Sequence, residues 1–212
     1  DSAVVQGGEY FYYVTAVYDE GESFPSNIVS TTATFIAGDP VFTPQPGVYY
    51  EPVRITVKTN PDAAVIYYTV DGSEPTQTST KYEQPITVDY ETVFKAKSFL
   101  EGIQDSEIVT AEYYILYPIE NFSADTSDNK AIFSWNAPWK PESVTNPQSL
   151  LGYNVYRATD EEGSEPILLN AEPVTSTHYT DQKIEPGDYE YFVKAVYKQG
   201  ESQPSETLYL TI

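Results

Sequence analysis

Residues 8–27 and 187–206 are two copies of one segment, GEYFYYVTAVYDEGESFPSN and GDYEYFVKAVYKQGESQPSE, which align without gaps at an offset of 179 with 12 identities in 20. The identities have a period. Tyr10, Tyr12, Val14 and Ala16 match Tyr189, Tyr191, Val193 and Ala195, each two residues apart. Between them, Phe11, Tyr13 and Thr15 stand opposite Glu190, Phe192 and Lys194. Strand side chains alternate between two faces, so a pattern held at every second position is that of one buried face. Both copies end in Gly-Glu-Ser-x-Pro-Ser, a turn into a further strand. The repeat therefore demands β structure twice over.

In the C-terminal copy the preceding sequence completes a domain. Ile119 to Ala124 reads as a first strand and Asp128-Asn129 as a turn. Lys130 to Asn136 follows with Ala131, Phe133 and Trp135 on one face. Gly152 to Ala158 points Tyr153 and Val155 inward, Thr177 to Thr180 is short, and Ile184 to Gly187 turns into the Tyr189 strand. Seven or so short strands around a buried Trp make an immunoglobulin-like sandwich. On Trp135, Gly152 to Arg157, Tyr179-Thr180-Asp181 and Tyr189-x-Tyr191-x-Val193-x-Ala195, residues 117–212 resemble a fibronectin type III domain. The resemblance implies that Tyr189, after Pro186-Gly187, is a corner tyrosine bonded back to nearby backbone. The segment between Trp135 and Gly152, with Trp139, Pro141 and Pro147, is long for that family, and no Arg-Gly-Asp supports integrin binding of that kind.

The N-terminal copy begins near the equivalent of Asp181. Residues 1–38 are therefore expected to hold only the last two strands of such a domain, with the remainder upstream in the parent protein. Their inner face then needs cover: upstream strands, a second copy through self-association of residues 1–36, or the flank of the middle module.

That middle module is anchored on Val65 to Val70, a β-branched and aromatic run with Ile66, Tyr68 and Val70 on one face. Asp71-Gly72 turns the chain and Pro75 bars re-entry into a central strand. Thr92 to Phe99 follows, with Phe94, Ala96 and Ser98 alternating with Val93 and the wet-face Lys95 and Lys97. Gly102 turns, and Ile108 to Ile115 closes the module. Tyr67-Tyr68-Thr69, Asp71 to Pro75, Tyr82, Phe94 to Lys97, Gly102 and Ser106 resemble the small C-terminal sandwich of chitobiase and β-hexosaminidase enzymes, as do Phe42-Thr43-Pro44 and Pro46 to Tyr49. The resemblance covers 39–116. It implies an appendage without the catalytic acids. The expected architecture is all-β, tandem immunoglobulin-like β-sandwiches without significant helix: 1–38, 39–116 and 117–212. The short linkers at Ile36 to Pro40 and Tyr117-Pro118 imply a semi-rigid array.

Composition narrows the function classes. The net charge of −21 divides into −5, −7 and −9 over those three parts, so the acidity is a surface property of the whole chain. Nucleic acid and anionic membranes need basic patches and are poor partners, and no apolar run is long enough to insert in a membrane as a helix. Zero Cys removes disulfides, thiol nucleophiles and thiolate metal sites. Zero Met reads as a mature or excised piece.

No catalytic residue, cofactor site or metal site emerges. His178 is the only histidine, no Gly-x-Ser-x-Gly elbow accompanies it, and an edge position in a short strand accounts for it. Asp71 and Glu74 offer oxygens to calcium, but turn chemistry explains Asp71 without a metal. Asp160-Glu161-Glu162 reads as a solvated hairpin loop. Exposed aromatics carry the remaining signal: Trp139 in the long loop, Tyr49-Tyr50 and Tyr113-Tyr114 near the junctions, and Phe11 and Tyr13 on the second face of the N-terminal hairpin. Each is a candidate for stacking on a sugar or packing on a neighbour, against the alternative of ordinary sandwich packing. The resemblances imply a non-catalytic accessory, spacer or adhesion region of a larger secreted or cell-surface bacterial protein, partnered by its upstream domain and by protein or glycan at the cell surface. A carbohydrate-binding module for an upstream glycoside hydrolase, or a stabilising region of a secreted peptidase, is the alternative.

Overall fold

The computed structural model describes residues 4–142, 150–159, 161 and 163–212; Pro147, Asp160 and Glu162 lie outside them. Regular structure among these residues is entirely β, in tandem immunoglobulin-like sandwiches. The first strands are β1 (Glu9–Tyr12), β2 (Val17–Tyr18), β3 (Gly21–Glu22), β4 (Val29–Thr32), β5 (Val41–Thr43), β6 (Gly47–Tyr49), β7 (Val53–Lys58), β8 (Val65–Thr69), β9 (Thr80–Lys81) and β10 (Ile86–Val88). Then come β11 (Thr92–Phe99), β12 (Val109–Ile115), β13 (Glu120–Ser127), β14 (Lys130–Asn136), β15 (Leu150–Thr159), β16 (Ile167–Leu168), β17 (His178–Gln182), β18 (Asp188–Tyr197), β19 (Gly200–Glu201) and β20 (Leu208–Thr211). Packing gathers the chain into two compact units: Asp1–Gln45, Ile55–Ile86 and Val93–Ala111 form one; Pro46–Arg54, Thr87–Thr92 and Glu112–Ile212 form the other.

In the first unit β11 pairs antiparallel with β8, from Lys95 opposite Thr69 to Phe99 opposite Val65, and β9 adds to β8. β5 pairs with β7. Ile66, Phe94 and Ala96 are buried, and the expected inner face is in place. The Phe94 ring meets Phe42 at 5.9 Å and Tyr68 at 5.8 Å between centroids. Val70 departs from the sequence reading. The strand ends at Thr69, whose hydroxyl donates to the Ser73 carbonyl at 2.6 Å, and Val70 lies exposed on the rim of the turn. The two lysines also lie lower than a wet face suggests. Lys97 sets its ammonium over the Phe99 ring, 5.4 Å from the centroid, and 3.5 Å from Asp105, while Lys95 donates to the Gly72 carbonyl at 2.7 Å.

The second unit contains a full sandwich. One sheet runs β13-β14-β17; the other runs β16-β15-β18-β19, with β20 also on β18. The first strand begins at Glu120 and reaches Ser127, longer than the sequence suggests. It turns into β14 through Asp128 and Asn129, both at positive φ as a two-residue hairpin requires. Ala131, Phe133 and Trp135 face Tyr153, Val155, Tyr191, Val193 and Ala195, all buried. Gly152 sits at φ +153°, where a Cβ would meet the Val174 carbonyl oxygen at 2.7 Å. The corner tyrosine is present: Tyr189 donates to the Glu185 carbonyl at 3.0 Å. Beside it, Arg157 donates to Asp181 at 2.7 Å and lies over the Tyr189 ring, and Asp181 also accepts from the Tyr191 hydroxyl at 3.0 Å. Elsewhere in the unit β12 pairs parallel with β6, from Tyr113 opposite Gly47 to Ile115 opposite Tyr49.

The Gly-Glu-Ser-x-Pro-Ser segment is more than a turn. Proline has no N–H, so the chain passing through Pro204 cannot continue a ladder beside β18. Two serines bridge the gap, because a hydroxyl both donates and accepts. The Ala195 N–H donates to Ser202 Oγ at 3.0 Å, and Ser202 Oγ donates to the Gln203 carbonyl at 2.7 Å. The Val193 N–H donates to Ser205 Oγ at 3.0 Å, and Ser205 Oγ to the Glu206 carbonyl at 2.8 Å. The N-terminal copy repeats both bridges, Ala16 to Ser23 at 2.9 Å and Val14 to Ser26 at 3.0 Å. The first unit makes a third version, with the Ser98 N–H donating to Ser106 Oγ at 2.8 Å.

Three outcomes follow. Phe94→Ala is expected to cost about 3–5 kcal/mol in denaturant unfolding of the full chain; an unchanged midpoint would place Phe94 outside the core. Ser202→Ala strands a buried N–H and should cost about 1–3 kcal/mol, whereas the bond to half-buried Ser23 is open to water, so Ser23→Ala should cost far less. Burial first, then Glu201 beside Tyr156, Asp181 beside Tyr191 and other tyrosines beside Tyr113 and Tyr197, lifts these hydroxyls: Tyr113 and Tyr156 to about 12, Tyr191 and Tyr197 further still. The folded chain keeps these protons above pH ~10, where the unfolded chain releases them. The tyrosine contribution to stability is therefore flat below about pH 10 and falls as pH rises beyond it. Tyrosinate absorbance should show a class of tyrosines that titrates only as the fold melts; a single step near pH 10 without unfolding would contradict this.

Candidate interaction surfaces

The exposed aromatics are held differently from one another. Trp139 follows β14 and meets Tyr117 in a T-shaped contact, with centroids 5.4 Å apart and planes at 73°. Tyr117 is itself fixed: its hydroxyl donates to the Asp89 carbonyl at 3.0 Å, and its carbonyl accepts from the Tyr197 hydroxyl at 2.8 Å. Trp139 is thus a supported ring that still leaves 44% of its surface to solvent, against 4% for Trp135. An aromatic that is supported by a neighbour and still partly exposed can stack on a flat apolar partner.

Tyr49 is half-buried and stacks on Tyr113 at 6.0 Å, while its carbonyl accepts from the Leu116 N–H at 2.8 Å. Tyr113 is fully buried, which corrects its grouping with the exposed aromatics: the parallel pairing of β12 with β6 turns it inward. Tyr114 is half-buried, with its hydroxyl donating to Glu112 at 2.7 Å. Tyr50 is exposed. Phe11 and Tyr13 are exposed on the hairpin of β1 and β4.

A cluster the sequence reading did not single out lies on the outer face of β15 and β18. Their register sets Tyr156 opposite Phe192 and Asn154 opposite Lys194. Tyr156 and Phe192 stack at 5.0 Å with planes 12° apart, and Lys194 sits over the Tyr156 ring. Glu201 accepts from Asn154 and Tyr156, each at 2.7 Å, and pairs with Lys194 at 3.2 Å. Burial of Glu201 opposes its charge, but the donors from Tyr156, Asn154 and Lys194 outweigh it and hold the carboxyl below its ordinary range. The clue in the sequence was Lys194 and Glu201 flanking a tight turn; the cross-strand half of the cluster needs the register.

Among the polar candidates, Asp71 caps its own turn. Its carboxylate accepts from the Ser73 hydroxyl at 2.6 Å and the Ser73 N–H at 3.0 Å, and these bonds lower its pKa. Among the described residues no group of three or more His, Asp or Glu side chains could hold a metal ion. His178 is exposed on β17, its Nδ1 3.4 Å from Thr177 Oγ1. A cleft of about 430 Å³ in the first unit is lined by Val57, Lys58, Asp62, Ile66, Lys81 and Tyr82, among others. Asp62 is the one carboxylate on its wall, whereas glycoside hydrolysis uses two.

Comparison with known proteins agrees with these features. Residues 44–110 match the family described as chitobiase/beta-hexosaminidase C-terminal domain. No curated protein matches the chain. Among solved structures, a Fn3-like protein from Clostridium thermocellum is similar at 30% identity, over 45% of this chain and 92% of that one, with a TM-score of 0.36. Domains of titin are similar at 16% identity, over 94% of this chain and 82% of theirs, with a TM-score of 0.38. The FN1–FN3 domains of chicken CNTN1 are similar at 14% identity, over 95% and 77%, with a TM-score of 0.34. Domains of this fold are typically accessory and non-catalytic, and they commonly occur in extracellular proteins. Residues 44–110 of this chain thus form a domain of the chitobiase/β-hexosaminidase C-terminal type.

Proposed function

We propose that this chain is a non-catalytic spacer and adhesion region of a larger secreted or cell-surface bacterial protein, divided into modules at 1–38, 39–116 and 117–212. The observation that carries this reading is the match of residues 44–110 to an enzyme-appended accessory domain, beside a second sandwich whose interior is filled by its own side chains. The interior of each sandwich is spent on packing, and the chemistry left outside is aromatic and acidic. Such a surface suits contact with protein or glycan, and its negative charge disfavours nucleic acid.

A carbohydrate-binding role is the second reading, favoured by the ring of Trp139, which is supported by Tyr117 and 44% exposed. Glycan and matrix-protein arrays probed with the pure chain separate the two, alongside hydrolysis assays on chitin-type and peptide substrates. Capture of a matrix protein, or of nothing, fits adhesion or spacing respectively. Capture of a glycan that Trp139→Ala abolishes, with Tyr50→Ala as a control, moves the assignment to carbohydrate binding. Turnover of either substrate sinks the non-catalytic reading.

A further inference from the structure

The N-terminal hairpin copies the edge of the complete sandwich pair by pair. β1 opposes β4 from Glu9–Thr32 to Tyr12–Val29, and β18 opposes β20 from Asp188–Thr211 to Tyr191–Leu208, each pair offset by 179. Val17–Glu22 and Tyr18–Gly21 repeat Val196–Glu201 and Tyr197–Gly200. The backbone bond from Ala33 N–H to the Gly8 carbonyl repeats the one from Ile212 to Gly187, and the serine bridges are shared. In backbone terms the two segments are one structure.

Their surroundings differ. Tyr191, Val193 and Ala195 are all 0% exposed in the core shared with Ala131, Phe133 and Trp135 of β14, with the Tyr191 ring 4.7 Å from that of Phe133. Their counterparts Tyr12 and Val14 are 45% and 74% exposed, and Ala16 is exposed too. The edge differs as well. β18 has β15 along its second side, whereas the sheet of β1 contains only β4 among the described residues. Successive N–H groups of a strand point to opposite sides. The Val14 N–H is taken by Ser26, so the N–H groups of Tyr13 and Thr15 point to the open edge.

We propose that this face and edge form a docking site for an immunoglobulin-type strand pair. One strand, with an inner face like Ala131-x-Phe133-x-Trp135, covers Tyr12, Val14 and Ala16. The other, built like β15, hydrogen-bonds to Tyr13 and Thr15. A second copy of this chain does not supply the pair: its β14 and β15 are already buried against its own β18.

The test extends the chain. Residues 117–186, the covering strands of the complete copy, are placed directly before Gly8, the equivalent of Gly187. The Tyr13 and Thr15 amides, fast in hydrogen exchange in the parent chain, should slow at least a hundredfold in the extended one, and binding of an apolar-surface dye should drop. Val14→Asp should leave the melting of the parent chain unchanged and abolish the gained protection in the extended chain. An added segment that leaves both amides fast overturns the proposal. So does a parent chain that sediments as a dimer dissociated by Val14→Asp, which makes a second copy the occupant. A parent chain whose Tyr13 and Thr15 amides are already slow places the cover within the chain.

Discussion

The interaction on which this architecture depends is the bond between a strand and a proline-broken neighbour, made through serine hydroxyls. An edge running through Ser-x-Pro-Ser loses a donor at the proline, and a missing donor beside a buried strand leaves an amide without a partner. Ser202 and Ser205 close the gap from one side, accepting from Ala195 and Val193 and donating onward to the next carbonyl. With both N–H groups satisfied, β18 can present Tyr191, Val193 and Ala195 to the core without an unpaired amide behind them. A serine bridge of the same kind, without a proline, serves the core strand of the first unit at Ser106, where Phe94 and Ala96 take the corresponding inner places.

Tyrosine supplies a second economy. With no Cys and no Met, the interior relies on rings that are apolar along their length and polar at the tip. Tyr191 buries its ring against Phe133 and spends its hydroxyl on Asp181. Asp181 in turn holds Arg157, so one carboxylate satisfies a buried hydroxyl and a half-buried guanidinium together. Tyr197 spends its hydroxyl on the Tyr117 carbonyl. Each such ring fills core volume and also settles a polar group that would otherwise be costly to bury.

What the sequence made legible follows from period two. The alternation in Thr92 to Phe99 and in Tyr189 to Ala195 gave the inner faces correctly, because each strand lies between one core and one outer surface. Period two fails where a strand ends or changes partner. Val70 continues the pattern on paper but lies past the Thr69–Ser73 bond that closes the strand. Tyr113 looks like a junction aromatic until β6 pairs alongside and turns it inward. The Tyr156–Phe192–Glu201 cluster depends on which residue faces which across two strands 36 residues apart, and one strand's periodicity carries no register.

The two copies of the repeat separate local from tertiary determinants within a single chain. Their hydrogen-bonded register is the same to the residue, although one lies under a sheet and the other does not. The ladder, the tight Gly21 and Gly200 turns and the serine bridges are therefore encoded inside some 25 residues and do not need the opposing sheet. Burial is the part that does. Hydrogen bonds exchanged with water contribute about 1 kcal/mol each, whereas covering a large apolar side chain contributes about 1.5–3 kcal/mol. The hairpin's shape is thus set by bonds made within it, and burial is a separate contribution, which the core of the complete copy supplies to Tyr191 and Val193.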